Sequence, residues 1–213
     1  SSSSAPEVYD NQLGDNAWRN ANTAVYNVDF SSNSEYPLSW FETGAWSETG
    51  QLGDLTAGWT TVQLNINAAQ YTADWALPGA FFNQLREGYN FISVRVYDSS
   101  APANVSALQE IFYVKKDTTP PVVPALSSPA DVAAFDYGGI NLDWADSAGP
   151  QSGTSNYELV LATASDFTTI TASSAPVASQ ASFTGLAEKP YYWKARSQDN
   201  AGNYSAYSAT RNF

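Results

Sequence analysis

The sequence predicts an all-β protein built from two β-sandwiches in series, and three observations support this fold class. Apolar and polar residues alternate with a period of two through most of the 213 residues, which is the pattern of half-buried strands. Residues 117–121 read Asp-Thr-Thr-Pro-Pro, and because two consecutive prolines fix φ and remove two backbone donors, this segment is expected to be a short, stiff linker. The blocks on either side each have the length of a single sandwich and end in the same kind of hairpin. We therefore expect a Ser-rich linker at 1–6, domains at 7–117 and 122–213, and a linker at 118–121.

Composition excludes several classes of function. The sequence has no cysteine, which excludes disulfides, cysteine zinc sites and thiol nucleophiles, and no histidine, which removes the commonest general base and metal ligand. The formal charge is -12, from 21 acidic and 9 basic residues, and this balance repels a phosphate backbone. No apolar run approaches the ~20 residues that cross a bilayer. We expect no cofactor, no nucleic-acid partner and no membrane-spanning segment.

The first block opens with three predicted strands. The residues that mark them by a two-residue period are Ala24, Tyr26, Val28 and Phe30; Leu38 and Trp40; and Val62, Leu64 and Ile66. Gly44, Gly50, Gly53 and Gly58 fall between the second and third of these strands and predict turns there.

The first block closes with a helical turn and a hairpin. Within 78–87 the apolar residues Phe81, Phe82 and Leu85 have helical spacing, so one short helix is expected to cross between sheets, with Gly88 ending it. In the strand that follows, one face carries Ile92, Val94 and Val96. The chain then turns at 98–104 and returns through Ile111 and Tyr113, which predicts a hairpin that closes the sandwich.

The second block contains about seven short strands with turn signals between them and no amphipathic helix, which is typical of an immunoglobulin-like sandwich. Its opening segment holds Pro124 and Pro129, which confine it to a sheet edge. The strand markers after it are Ile140, Leu142 and Trp144; Tyr157, Leu159 and Leu161; Ile170; Phe183; Tyr191, Trp193 and Ala195; and finally Tyr207 to Phe213.

Two hairpins in the chain share one spacing. The matching positions are Arg95 with Arg196, Asp98 with Asp199, Asn104 with Asn203, and Ser106 with Ser205. In the second copy Gly202 is expected to take a positive φ, as a tight hairpin with a bulge requires. The first copy lacks the glycine, so we expect a looser turn at 98–104.

These motifs resemble known families. Residues 122–213 resemble a bacterial fibronectin type III-like domain, with Leu142-Asp143-Trp144 at the strand-B tryptophan and Tyr191-Tyr192-Trp193 at a strand-F entry with a tyrosine corner. Residues 85–121 resemble the ends of immunoglobulin-like repeats in large bacterial surface proteins, which read Leu-x-x-Gly-x-Asn-x-Ile and end in Asp-Thr-Thr-x-Pro. The resemblance implies the fold and a place in a surface protein, and it is weak evidence for function.

Tryptophans are the best candidates for a binding site, since exposed tryptophans stack on sugar rings. Two interpretations are open for them, a carbohydrate platform or the core of the sandwich. Trp40 and Trp75 lie beside strand-like patterns, which favours the core. Trp46 and Trp59 flank an acidic, glycine-rich loop at 48–54, and we predict that they are exposed at one end of the sandwich as a ligand-binding pair.

Metal and catalytic sites are not predicted. Asp143, Asp146 and Asp199-Asn200 could contribute to a calcium site, but the turn preferences of Asp and Asn explain them more simply. Nothing in the sequence places two acids on adjacent strands lining a cleft, as glycoside hydrolysis requires.

The sequence leaves two functions open. The first is a non-catalytic structural or adhesive segment of a bacterial cell-surface protein or extracellular fibre, with neighbouring domains or further copies as partners. The alternative is a carbohydrate-binding accessory module of a secreted polysaccharide-degrading enzyme, with glycans as partners. Either function implies an extracellular location.

Overall fold

The computed structural model describes residues 4–12, 16–135 and 138–213. The chain divides into two compact units, Ser1–Thr118 and Thr119–Phe213, so the division falls inside the proline-containing segment. Part of the Ser-rich segment expected at 1–6 lies outside the described residues. No helix in the described ranges is long and apolar enough to cross a membrane.

Unit 1 is a sandwich of two sheets. Its elements are β1 (Glu7–Asp10), β2 (Trp18–Arg19), β3 (Val28–Ser31), β4 (Leu38–Glu48), β5 (Leu52–Gln63), β6 (Gln70–Tyr71), α1 (Gly79–Gln84), β7 (Gly88–Asp98) and β8 (Val105–Lys116). One sheet has the strand order β1-β3-β6 and the other β2-β8-β7-β4-β5. Among the strand pairs that the structure describes in unit 1, β2 with β8 is the one parallel pair.

The core of unit 1 confirms most of the alternation in the sequence. Val28 and Phe30 point inward from the smaller sheet, and Ile92, Val94 and Val96 point inward from the larger one, all 0–1% exposed. Between the sheets, α1 contributes Phe81 and Phe82, as its helical spacing predicts. The helix ends at Gln84, before Gly88, because the chain is already extended at Leu85.

The turns predicted at the four glycines are confirmed at Gly50, which lies in a 3₁₀ turn with a φ of 75°, and are wrong at the other three. Gly44 lies inside β4, and Gly53 and Gly58 lie inside β5, so the two strands form one long hairpin joined by a 3₁₀ turn at Thr49–Gln51. The strand predicted at 60–67 ends early at Gln63, because Asn65 and Asn67 have φ near 54° and 50°. Strand length there depends on cross-strand pairing, which the glycines do not prevent.

Unit 2 is a sandwich of seven strands within the described residues. They are β9 (Leu126–Ser128), β10 (Gly139–Trp144), β11 (Thr154–Ala162), β12 (Ile170–Ser174), β13 (Gln180–Thr184), β14 (Tyr192–Asp199) and β15 (Arg211–Asn212). The sheets have the orders β13-β10-β9 and β12-β11-β14-β15.

The core of unit 2 lies where the sequence places it. Leu142, Trp144, Leu159 and Trp193 are 0–2% exposed, and Trp144 packs 6.3 Å from Trp193. As the prolines predict, β9 is an edge strand. The last predicted strand, 207–213, is shorter than expected, since only Arg211–Asn212 pair with β14 as a ladder.

Candidate functional site

The outer face of the five-stranded sheet of unit 1 carries aromatic side chains where a sandwich normally presents polar ones to solvent. In β4 the inward residues Phe41, Thr43 and Ala45 are fully buried. The alternate residues, among them Trp40 and Trp46, lie on the opposite face. The aromatic face, as we name it, consists of Trp18, Trp40, Trp46, Trp59, Tyr89, Phe91, Tyr97 and Tyr113. The ring pairs on this face form three groups, with centroid separations of 4.3–6.5 Å: Trp46 with Trp59, Trp40 with Tyr97, and Tyr89 with Trp18, Phe91 and Tyr113.

Trp46 and Trp59 meet over Gly44. Their ring centroids are 5.5 Å apart with an interplanar angle of 69°. A Cβ atom on Gly44 would lie 3.0 Å from the Trp46 ring and 3.2 Å from the Trp59 ring, so the glycine makes room for both indoles. Aromatic side chains that cover a strand glycine stabilise the strand at a point that has no side chain of its own.

The predicted position of this pair is partly wrong. Both indoles are half-buried and lie on the sheet face, whereas exposure at the loop end of the sandwich was predicted. Trp46 lies inside β4 and Trp59 inside β5, and between these strands there is only the 3₁₀ turn at Thr49–Gln51, so both indoles belong to the sheet. Because the rings meet edge to face, they do not form one flat surface. That Trp46 and Trp59 bind a ligand stays a prediction.

The guanidinium group of Arg95 contacts the rings of both Trp59 and Tyr97. The Arg95 guanidinium carbon is 4.2 Å from the Trp59 ring centroid and 5.7 Å from that of Tyr97, and Arg95 also forms an ion pair with Glu42. Tyr97 in turn stacks on Trp40 at 4.3 Å. Glu42 and Arg95 face each other in the register of β4 and β7, so the sheet itself sets this arrangement.

Unit 2 repeats the arrangement on its four-stranded sheet. Arg196 bonds Glu158, which it faces in the register of β11 and β14, at 2.6 Å and 2.9 Å. Its guanidinium lies 4.1 Å from the Tyr204 ring and 4.7 Å from the Tyr207 ring. The Tyr207 hydroxyl donates to Glu158, and burial together with this hydrogen bond raises the pKa of Tyr207 to about 12.

Sequence reasoning aligned Arg95 with Arg196 but missed both glutamates, because they lie more than thirty residues away in the chain. A signal for them exists. Each glutamate directly follows a buried aromatic residue, Phe41 before Glu42 and Tyr157 before Glu158.

The aspartates of the repeat hold the turns. Asp98 accepts hydrogen bonds from the backbone N–H groups of Ser100 and Asn104 and from both of their side chains. Burial opposes ionisation, but these bonds outweigh it and lower the pKa of Asp98 to about 2. Asp199 accepts from the N–H groups of Ala201 and Asn203 in the same way. Gly202 takes a φ of 90°, as predicted.

The hydrogen bonds of Asp199 and Asn200 bear on the calcium site to which these residues could contribute. Asp199 directs its carboxylate into its own turn, and Asn200 donates to the backbone of Ser152. Among the residues that the structure describes, no group of three His, Cys, Asp or Glu side chains is placed to hold a metal ion.

Comparison with known proteins identifies the fold. The chain matches no protein family model, and no curated protein is similar to it. A crystal structure of titin domains A168-A170 has a TM-score of 0.53 at 15% identity and covers 96% of this chain and 64% of the titin chain. Both units are immunoglobulin-like β-sandwiches.

Two further solved structures are similar at lower scores. The fibronectin(III)-like modules of Clostridium thermocellum CbhA have a TM-score of 0.44 at 11% identity, covering 97% of this chain and 92% of theirs. The FN1-FN3 domains of chicken CNTN1 have a TM-score of 0.40 at 11% identity, covering 94% of this chain and 65% of theirs. At such identities the likeness concerns the fold alone.

Proposed function

We propose that this chain is a non-catalytic structural or adhesive segment of a bacterial cell-surface protein or extracellular fibre. The observation that carries the proposal is that two sandwiches follow each other in the chain, each with an apolar core of its own. Consecutive sandwiches joined by a short linker are suited to spanning distance, and cores without cysteine are independent of redox conditions.

The repeated contacts support a mechanical role. In each unit an arginine bonds the glutamate on the neighbouring strand and packs on aromatic rings, while an aspartate three residues later holds the hairpin turn. In each unit these contacts connect the strand that carries the arginine, β7 or β14, to the neighbouring strand that carries the glutamate, β4 or β11. Such contacts stabilise the sheet.

The partners we propose are neighbouring domains of the same surface protein or further copies of this chain. Strands at sheet edges carry unpaired backbone groups and can accept a strand from another molecule. In unit 2 the segment 207–213 forms such an edge, with Arg211–Asn212 as its only ladder residues. Analytical ultracentrifugation over a wide concentration range tests assembly, and a strict monomer together with native fibres that lack the chain would exclude it.

Cell-surface location is tested on intact producing cells. An antibody against the purified chain should label unpermeabilised cells, and external protease should remove the labelling. A cytoplasmic protein serves as the control that must stay unlabelled. Labelling that appears only after lysis overturns the proposal.

The aromatic face supports a second candidate function, a carbohydrate-binding accessory module of a secreted polysaccharide-degrading enzyme. Trp46 and Trp59 are proposed as its ligand-binding residues, because ring faces stack on sugars and neither indole is fully buried. Tryptophan fluorescence titrations with soluble polysaccharides, with and without calcium, test this function. A saturable change that disappears in Trp46→Ala or Trp59→Ala supports it, whereas the absence of any change in a folded protein contradicts it.

A further inference from the structure

Strand β8 is paired along both sides over only a small part of its length. On one side it pairs with β7 from Val105 to Lys116, but on the other side β2 pairs only with Lys115 and Lys116. Among the described strands, none pairs with that second side over residues 105–109. We call this segment the open edge.

The pattern of backbone hydrogen bonds shows which groups of the open edge have no strand partner. The Asp98 N–H donates to the Asn104 carbonyl group at 3.1 Å, so Asn104 and every second residue after it bond β7, up to the bulge opposite Ser93. The intervening residues Val105, Ala107 and Gln109 direct their N–H and C=O groups away from β7. These groups are available to a further strand.

An inward-facing apolar side chain is left uncovered at the open edge. Leu108 lies opposite Val94 in the register of β7 and β8, so both side chains point into the sandwich. Val94 is fully buried, whereas Leu108 is 38% exposed. On the outer side of the sheet Val105 is 47% exposed. A strand added to the open edge would cover Leu108 and pair the unused backbone groups.

The open edge lacks the features that protect an edge from another strand. No charged residue occurs between Asp98 and Glu110, and 105–109 contains no proline. The opposite edge of the same sheet, β5, is different, because its pairing with β4 shifts register at four points. Such irregularities disfavour the addition of a strand.

Charge indicates which occupant fits the open edge. The chain has a net charge of -12, so two copies repel each other over most of their surfaces. A strand that pairs with its own copy about a two-fold axis brings identical residues together, and like charges facing each other across strands are destabilising. The uncharged segment 99–109 avoids that repulsion.

We infer that two copies of this chain pair through their open edges, antiparallel and about a two-fold axis at Ala107. Ala107 then lies opposite Ala107 of the second copy, and Val105 lies opposite Gln109, so these residues exchange backbone hydrogen bonds. On the inner side, Leu108 lies diagonal to its counterpart and within reach of it. The two leucines cover each other, and the two five-stranded sheets become one continuous sheet.

This dimer rests on the proposed function, in which further copies of the chain are one kind of partner, and it assigns the contact to β8 instead of 207–213. The interface is small, so we expect a dissociation constant on the order of 0.1 mM. A weak contact of this kind becomes effective where many copies are held close together, as on a surface or in a fibre.

Sedimentation equilibrium and amide hydrogen exchange of the full chain test the dimer. The protein should dimerise below about 1 mM, and added salt should strengthen the dimer because it screens the repulsion between two negative copies. The N–H groups of Val105, Ala107 and Gln109 should exchange rapidly in dilute protein and slowly in concentrated protein. Those of Ser106 and Leu108 bond β7 and should be protected at both concentrations.

Substitutions at Ala107 test the position of the axis. Ala107→Pro removes a donor that points away from β7, so it should keep the fold and raise the dissociation constant about tenfold or more. Ala107→Lys and Ala107→Glu should each weaken the dimer, because like charges then meet at the axis. An equimolar mixture of these two variants should recover association as a heterodimer, as only pairing of 107 with 107 predicts. Thermal unfolding of each variant checks that it is folded.

Ser173→Pro in β12 is the matched control. The Tyr157 N–H bonds the Pro176 carbonyl group, so the Ser173 N–H also points away from its sheet. This variant should associate as the wild type does.

Three results overturn the dimer: a wild type that is monomeric at about 1 mM, association that is unchanged in Ala107→Pro, or a charged mixture that fails to recover. Association that persists in all Ala107 variants leaves 207–213 as the site of assembly. A monomer that is nevertheless labelled on intact cells or found in native fibres excludes this dimer and retains the proposed function.

Discussion

Asp98 and Asp199 show how a single residue type builds the same turn twice. Each carboxylate is almost completely buried and accepts hydrogen bonds from backbone N–H groups and from an asparagine at the end of the turn. A buried carboxylate is stable only where such donors replace water. The spacing from aspartate to asparagine differs by two residues between the copies. Both aspartates accept from the backbone N–H two residues later and from the N–H and side-chain amide of the asparagine, and Asp98 also accepts from the hydroxyls of Ser34 and Ser100.

Asp98→Asn is expected to destabilise unit 1 by about 2 kcal/mol at neutral pH, because the charged acceptor of several hydrogen bonds is lost. The folded-state pKa of about 2 lies below the ordinary 3.8, so the charge stabilises the fold above pH 4 and ceases to do so as pH falls through 2. Urea unfolding of both proteins as a function of pH should show their stabilities converging below pH 3.

The control for this prediction is Asp54→Asn, at an exposed aspartate of the hairpin formed by β4 and β5. It should change stability by less than about 0.5 kcal/mol at any pH. A pH-independent difference between the wild type and Asp98→Asn would contradict the assigned role of the charge.

At the scale of elements, the hairpin of β4 and β5 depends on Gly44, whose missing side chain leaves room for two indole rings. Gly44 lies in mid-strand, a position that ordinarily weakens a strand. Here the rings of Trp46 and Trp59 occupy the space above it, and Arg95 covers the second ring. Glycine, two indoles and a guanidinium thus form one packed unit on the outer side of the sheet.

Gly44→Ala is expected to destabilise unit 1 by about 1–3 kcal/mol, because the new methyl group must displace two packed indoles. Tryptophan emission should shift to longer wavelength as the rings become more exposed. Gly58→Ala is the matched control, since it lies in the paired strand and its Cβ would have nothing within 4 Å. That control should be neutral or slightly stabilising, and equal effects of the two substitutions would contradict the packing argument.

The end of α1 depends on a lysine from another element. Lys116 at the end of β8 donates through Nζ to the carbonyl groups of Phe82, Asn83 and Leu85 at 3.2, 3.3 and 2.8 Å. Lys116→Met keeps most of the unbranched side chain and removes the three bonds, so it should cost about 2 kcal/mol of unfolding free energy.

Thermal unfolding checks the Lys116 prediction, with Lys189→Met at an exposed lysine of unit 2 as the control. The control should leave the melting temperature unchanged. A Lys116→Met protein that melts with the wild type would show that the helix end needs no partner from β8.

At the scale of the whole molecule, each unit has its own apolar core, and the cores have no residue in common. Trp144 and Trp193 anchor one, and Phe41, Phe81 and Ile92 anchor the other. Domains with separate cores fold separately.

The fragments 1–118 and 119–213 are therefore each expected to fold alone. Each should give one cooperative transition in thermal unfolding followed by circular dichroism, and each should keep dispersed amide resonances in NMR. A fragment without a cooperative transition would show that its core is incomplete.

The fold was more predictable than the site. Alternation located the inward residues of β3, β7, β10 and β14, because burial on one face imposes a period of two. It failed at Ile111 and Tyr113, which share a parity in the sequence. Ile111 is one of three residues of β8 that bulge opposite Ser93 of β7, and it is buried, whereas Tyr113 pairs with Phe91 beyond the bulge and lies on the aromatic face.

What the sequence determined by itself is local: the two-residue periods, the proline-containing boundary, the turn residues of the repeat and the absence of cysteine and histidine. These follow from the chemistry of single residues and their neighbours. The tertiary structure decided what depends on strand pairing, namely that Glu42 meets Arg95, that two indoles share the space over Gly44, and that Asp10, Gln12 and Glu110 line one cavity. Strand pairing brings together residues that are far apart in the chain, and no local pattern specifies which residues will face each other.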